Sequence, residues 1–188
     1  MTHGQEKSAP RPLGVGFVGS GFNARFHMQA LRAVRDADVR GVWSPNAKNA
    51  ASAAALARSL DIGAAHPYAS ISDMVADPAI DALWLTGPNH TRVENFEEIV
   101  HALEHGNGTL RGIACEKPLA RTVAEATHIL RLIKRTGIAH GYLENQVFAP
   151  QVQAGRALLW DKEPIDLDQK TRADESRVNQ QAYVYQNK

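Results

Sequence analysis

From Leu13 to about Tyr142, short apolar runs alternate with stretches whose apolar residues recur every three or four positions. That alternation predicts a parallel sheet covered by helices, because crossover helices bury strands that read as near-continuous apolar runs. The first strand is LGVGFV, ending at Val18, followed by a glycine-rich turn and a helix through FHMQALRAV. In that helix His27 and Met28 read as a surface and a core position. The second strand is DVRGVW. Ser44 is the expected N-cap of the next helix, with Pro45 at its first position. An Ala-rich body from Ala47 to Leu60 favours helix.

A short third strand near His66 to Tyr68 precedes a short helix after Ser72, stopped by Asp77-Pro78. The fourth strand, IDALWLT, ends at Thr86. The following helix carries Val93, Phe96, Val100 and Leu103 on one face and ends at Gly106 and Gly108. GIACE is the fifth strand. Thr122 and Glu125 then form a capping box, with a stripe of Val123, Ala126, Leu130 and Ile133 to be buried. Lys134 and Arg135 in the last turn and Gly137 beyond it mark the end of that helix. IAHGYLEN is the sixth strand, and QVQAGRALLW begins a helix after Pro150. Six strands with intervening helices make an α/β, doubly wound, mostly parallel six-stranded sheet with helices on both faces.

The ends of the chain differ in texture. Residues 1–12 are polar and contain two prolines, without the apolar core of a signal peptide, and read as a flexible tail. The folded unit is assigned to 13–150 and the start of a linker helix to 151–161. Residues 162–188 hold ten charged and eight apolar residues without a sustained period, and are expected to be a poorly ordered polar tail. With 188 residues, the chain suffices for one domain with a hydrophobic core. A net charge of +1 gives no electrostatic reason to expect a nucleic-acid or membrane partner. The single cysteine, Cys115, excludes an internal disulfide and, with the missing leader and spans, points to the cytoplasm.

The sharpest motif is Gly19-Ser20-Gly21-Phe22-Asn23-Ala24, which fits G-x-G-x-x-G/A. Gly19 permits the tight turn, Gly21 lets backbone approach a diphosphate, and a small Ala24 lets helix pack on strand. The backbone N–H groups at the helix start, through Phe22, Asn23 and Ala24, then face the phosphates. The motif follows a strand and opens a helix, the context that gives it meaning. It identifies a Rossmann-type domain. At the end of the second strand, the acidic residue that would bind the ribose hydroxyls of NAD is missing. The sequence there reads Trp43-Ser44-Pro45-Asn46, and Asp38 lies at the wrong end of the strand. A carboxylate would repel a 2′-phosphate, so its absence favours NADP over NAD. Ser44 and Asn46 can donate hydrogen bonds there, and Lys48 supplies charge.

Two polar clusters stand at the carboxyl ends of strands four and five, where ligands bind in open α/β sheets. They are Thr86-Gly87-Pro88-Asn89-His90 and Glu116-Lys117-Pro118. A lysine held there, partly desolvated, can take a hydroxyl proton or stabilise a developing oxyanion. Together with the glycine turn, these clusters resemble the Gfo/Idh/MocA family of NAD(P)-dependent oxidoreductases. The run Glu144 to Pro150 is similar to one branch of that family, and the likeness extends over about residues 13–160.

The resemblance implies hydride transfer between a nicotinamide cofactor and a sugar- or polyol-like group. It implies that Lys117 contacts the nicotinamide side and the substrate hydroxyl and assists proton movement. Glu116 and Pro118 would shape the lysine loop, Thr86, Pro88 and Asn89 would line the nicotinamide, and Asn145 would meet the substrate pocket. Members of the family continue into a second, sheet-forming domain that binds substrate, and the stretch after Trp160 does not resemble it. Leu158, Leu159 and Trp160 are therefore expected to form an apolar patch. Three readings stay open: an oxidoreductase, a non-catalytic nucleotide-binding module, and a truncated remnant without activity.

Other candidates are set aside. His101-Ala102-Leu103-Glu104-His105 matches a zinc-protease string, but it ends at Gly106 and reads as a surface helix with solvated histidines. Cys115 reads as a small core residue without a second cysteine or histidine at zinc spacing.

Overall fold

The structure is a computed structural model that describes residues 11–160. It contains β1 (Leu13–Val18), α1 (Phe22–Leu31), β2 (Ala37–Trp43), α2 (Ala47–Ser59), β3 (His66–Pro67) and α3 (Ile71–Ala76). These are followed by β4 (Ala82–Leu85), α4 (Arg92–Glu104), β5 (Gly112–Glu116), α5 (Val123–Thr136), β6 (Ala139–Leu143) and α6 (Pro150–Trp160). Short 3-10 turns at Asn89–Thr91 and Asn145–Phe148 lead into α4 and α6. The expectations for residues 1–10 and 161–188 lie outside the described residues. Arg11, counted with the tail, pairs with Asp81 at 2.6 Å.

The strands form one sheet in the order β3-β2-β1-β4-β5-β6, and every neighbouring pair is parallel. The order reverses between β1 and β4, because α1 and α2 carry the chain one way and α3 brings it back across β1. Alternate side chains of β1 enter different cores: Val15 and Phe17 on one face, Val18 on the other. Phe17 packs with Ala24, Met28 and Leu31 of α1 and with Ala50, Ala53, Ala54 and Ala57 of α2. Alanine at those four positions lets α2 approach the sheet closely. Leu83, Leu85, Ile113 and Cys115 pack under α3, α4 and α5 on the other face. Each fully buried side chain of this size contributes roughly 1.5–3 kcal/mol.

Several boundaries differ from expectation for local reasons. The N-cap of α2 is Asn46, not Ser44: Asn46 Oδ1 accepts from the N–H groups of Lys48 and Asn49 at 3.0 and 3.2 Å. Likewise Ser70, rather than Ser72, caps α3. The stripe of α5 is centred on Ile129, Leu132 and Ile133, leaving Val123 65% exposed. On α4 the buried set is Arg92, Asn95, Phe96, Ile99, Val100 and Ala102, with Val93 and Leu103 half-buried at its margin. Thr122 caps α5 as expected, but Glu125 turns back to the N–H and guanidinium of Arg121. Gly137 ends α5 with a φ of 69°.

The amino-terminal edge of the sheet borders an open apolar cleft of about 420 Å³. Leu13, Ala37, Ala82, Gly112 and Ala139, the first residues of five strands, line it, so it lies at the end opposite the polar loops. Leu158 on α6 is 64% exposed, and the side chains of Leu159 and Trp160, expected to share an apolar patch with it, lie outside those described. No helix among the described residues is long and apolar enough to cross a membrane.

Candidate functional site

Strand register sets the site. Trp43, Val18, Leu85, Cys115 and Tyr142 stand in one row across β2, β1, β4, β5 and β6. The residues that follow them, Ser44, Gly19, Thr86 and Glu116, therefore form a continuous rim at the carboxyl ends. The two motifs and the end of β2, far apart in sequence, meet there.

At the switch point the chain leaves β1 through Gly19, whose φ is 117°. A Cβ at Gly19 would come within 2.7 Å of Gly87 N and 2.8 Å of Thr86 Oγ1, so only glycine allows these loops to touch. The contact is bonded as well as packed: Thr86 and Gly87 donate their N–H groups to Val18 O at 2.9 and 3.1 Å. Gly19 N–H donates to Trp43 O at 2.8 Å, which joins the turn to β2. Gly21, the N-cap of α1, has ordinary extended dihedrals, and a Cβ there would meet nothing within 4 Å. No side chain caps α1. Its first N–H groups thus face open space at the positive end of the helix dipole, the arrangement an anion needs. Ala24 is fully buried against the sheet, the close packing required of a small residue.

Ser44, released from capping by Asn46, instead meets Ser20: the hydroxyls lie 2.9 Å apart. Lys48 is exposed in the first turn of α2. Asp38 pairs with Gly14 near the start of the strands and holds Arg40, far from the rim.

On the other side of the switch point, Pro88 is exposed and Asn89 half-buried in the turn before α4. Thr91 Oγ1 donates to Pro88 O at 3.0 Å and accepts from Asn95 Nδ2 at 3.3 Å. Glu116 is only 8% exposed, whereas Lys117 and Pro118 are exposed, joined by a cis peptide bond. Glu116 Oε2 accepts from the N–H of Lys117 at 3.0 Å. Asn145 is exposed in the 3-10 turn after β6. Cys115 lies in the core, and burial pushes its thiol up to about 11, although the neighbouring Arg92 charge works against that rise. A thiol so raised is protonated at neutral pH.

Two residues of this site escape a motif search. His27, read from sequence as a helix-surface residue, turns inward: its Nε2 lies 2.7 Å from Glu116 Oε1, and its ring packs on Trp84 at 4.9 Å. Arg92 is 1% exposed and ties Gly87 to Glu116. Spacing carried both signals. His27 falls three residues after Ala24 and four before Leu31, and Arg92 four before Phe96, on the buried stripes of α1 and α4.

His101 and His105 stack at 4.0 Å on the exposed side of α4, as expected of solvated histidines. Among the described residues no group of three His, Cys, Asp or Glu side chains is placed to hold a metal.

A sequence profile described as an oxidoreductase family with an NAD-binding Rossmann fold, GFO_IDH_MocA, matches residues 13–142. A second profile, described as a protein of unknown function (DUF3460), matches residues 146–187. The first match stops short of the Glu144–Pro150 run, and the second takes it up from Gln146. Over 75 residues the chain is 36% identical to an uncharacterized oxidoreductase of Rhizobium meliloti, covering 40% of this chain and 20% of that protein. It is 25% identical over 121 residues to the scyllo-inositol 2-dehydrogenase (NADP(+)) IolU of Bacillus subtilis strain 168, covering 64% of this chain and 33% of that protein. The chain thus spans a fifth to a third of the length of these relatives. Among solved structures, GenD2 from gentamicin A biosynthesis, in complex with NAD, superposes with a TM-score of 0.65 at 22% identity. That match covers 81% of this chain and 40% of GenD2, and shows likeness of fold.

Proposed function

This chain belongs to the Gfo/Idh/MocA oxidoreductase family with its NAD-binding Rossmann fold, and from that premise we propose that it binds a nicotinamide dinucleotide across the β1–β4 switch point. The proposed activity is hydride exchange with a sugar- or polyol-like hydroxyl or carbonyl. The observation that carries the proposal is the uncapped start of α1, where the Cβ direction of Gly21 is open and Gly19 holds the turn against Gly87. A diphosphate there would be met by the amides of Phe22 and Asn23, whereas Ala24, expected to contribute as well, is fully buried and serves the close packing of helix on strand.

In this reading the adenine ribose lies toward Ser44 and Lys48. The lack of a carboxylate at the tip of β2 favours NADP, because no charge there repels a 2′-phosphate. Thr86, Pro88, Asn89, Glu116, Lys117 and Pro118 border the nicotinamide end, and Asn145 the substrate. When bound, the nicotinamide supplies or accepts the hydride. The chain's own part is proton management: Lys117 Nζ takes the proton of a substrate hydroxyl, or returns it to a developing alkoxide. The inositol dehydrogenase among the relatives supports a polyol class of substrate.

The test is turnover of NADP and NAD with a panel of inositols, sugars and their oxo forms, run on the protein and on Lys117→Ala. Cofactor-dependent turnover is expected, falling about 10²–10⁴-fold in Lys117→Ala while dinucleotide affinity persists. Absence of turnover across the panel contradicts the proposed activity, and a fully active Lys117→Ala contradicts the role of the lysine.

A further inference from the structure

Arg92 presents a buried charge without a charged partner: among the described residues, no Asp or Glu forms an ion pair with it. Burying a guanidinium is costly unless its donors are satisfied. Here they are satisfied by two loops. Nε and Nη2 donate to Gly87 O at 3.2 and 2.8 Å, and Nη1 donates to Glu116 O and lies 2.7 Å from Cys115 Sγ. A guanidinium is the side chain with enough donors, fixed in one plane, to bridge carbonyls at the ends of two strands. From the opposite side, His27 of α1 holds the Glu116 carboxylate at 2.7 Å, and that carboxylate also accepts the Lys117 N–H. Glu116 is therefore gripped at its carbonyl by α4 and at its carboxylate by α1.

We propose that Arg92 and His27 are positioning residues that set the Pro88-Asn89 and Lys117 loops at the nicotinamide end of the site. The proposal rests on the dinucleotide reading above and adds a division of labour. The open amides of α1 hold the diphosphate end, and the Arg92–Glu116–His27 brace shapes the nicotinamide end. Gly87 and Glu116, the residues Arg92 binds, immediately precede Pro88 and Lys117, so a shift of either carbonyl displaces the loop that follows. Arg92 and His27 both lie outside the first turn of α1, and Arg92 holds Gly87 by its carbonyl while Gly87 meets the glycine turn through its N–H and Cα, so the diphosphate end is expected to respond less than the nicotinamide end.

The experiment compares two ligands, NADPH and 2′-phospho-ADP-ribose, which lacks the nicotinamide. Both are titrated against the full chain and its Arg92→Lys, Arg92→Met and His27→Ala variants. The unsubstituted protein is expected to bind NADPH more tightly than the fragment. In Arg92→Met and His27→Ala, fragment affinity stays within about twofold while NADPH weakens by about tenfold, closing the gap, as loss of a buried charged hydrogen bond predicts. Arg92→Lys restores part of the gap, because one ammonium reaches one loop and not both. Unchanged NADPH affinity in both Arg92→Met and His27→Ala overturns the proposal. So does a parallel loss for both ligands, the mark of a purely structural role. If Arg92→Met fails to fold, His27→Ala decides the matter alone, since His27 lies at the rim with 19% of its side chain exposed. An unsubstituted protein that binds neither these ligands nor NADH overturns the dinucleotide reading itself, whereas one that binds both, beside indistinguishable variants, overturns only the brace.

Discussion

Ser44 shows how a single side chain changes meaning once its neighbours are known. As a sequence position it follows a strand and precedes a helix, the place of a cap. In the structure Asn46 does the capping, two residues later, and Ser44 is free to meet Ser20 on the glycine turn. On the proposed reading it faces the ribose, and the lack of a negative charge at this position favours NADP over NAD. Ser44→Asp should weaken NADPH at least about tenfold through repulsion of the 2′-phosphate, while NADH affinity holds or improves. Parallel fluorescence titrations check it, and equal effects on both cofactors would refute the placement. His27 and Arg92 were harder to read than Ser44, since polar residues on an apolar stripe look like errors of phase. Their partners, Glu116, Gly87 and Cys115, lie on other elements, and no local pattern names them.

At the scale of elements, the strands depend on ties at both ends. Asp81, just before β4, accepts from Gly14 N–H at 2.7 Å and pairs with Arg11. Partial burial would raise its carboxyl, but the Gly14 bond and the Arg11 charge outweigh that and hold it below the ordinary value. A lowered folded value means that the ionised group stabilises the fold above the unfolded value of about 4. That stabilisation fades as pH falls through the lower folded value. Asp81→Asn should cost about 1–2 kcal/mol at pH 7 and progressively less in acid. Urea melts at pH 7 and in acid would contradict this if the difference stayed constant.

The elements themselves were legible: GIACE is β5 to the residue, and LGVGFV is β1. Apolar runs bounded by turn residues mark buried strands well. The phase of a helix is less legible, because α5 has more apolar residues than its stripe can hold. Val123 fits the three-and-four spacing yet points outward, and the packing surface runs through Ile129 and Leu132.

At the scale of the whole molecule, the sheet order places the polar loops together and the apolar cleft at the opposite end. The family match and the second profile divide the chain near residue 144, where the sheet has just been completed. A doubly wound six-stranded sheet followed from counting strands and crossovers, and the order found in the structure then sets the rim of the site. What sequence could not supply was distance, namely that the turn at Gly19 and the loop at Gly87 touch. The central claim is that the open start of α1 receives a diphosphate, and Gly21→Val tests it most directly. A valine there meets no protein atom near its Cβ and keeps allowed dihedrals, so the fold should melt as before. Calorimetric titration with NADPH should show binding to the unsubstituted protein and its loss, by at least about a hundredfold, in the variant. A Gly21→Val protein that melts normally and binds NADPH as tightly as the original would contradict the account.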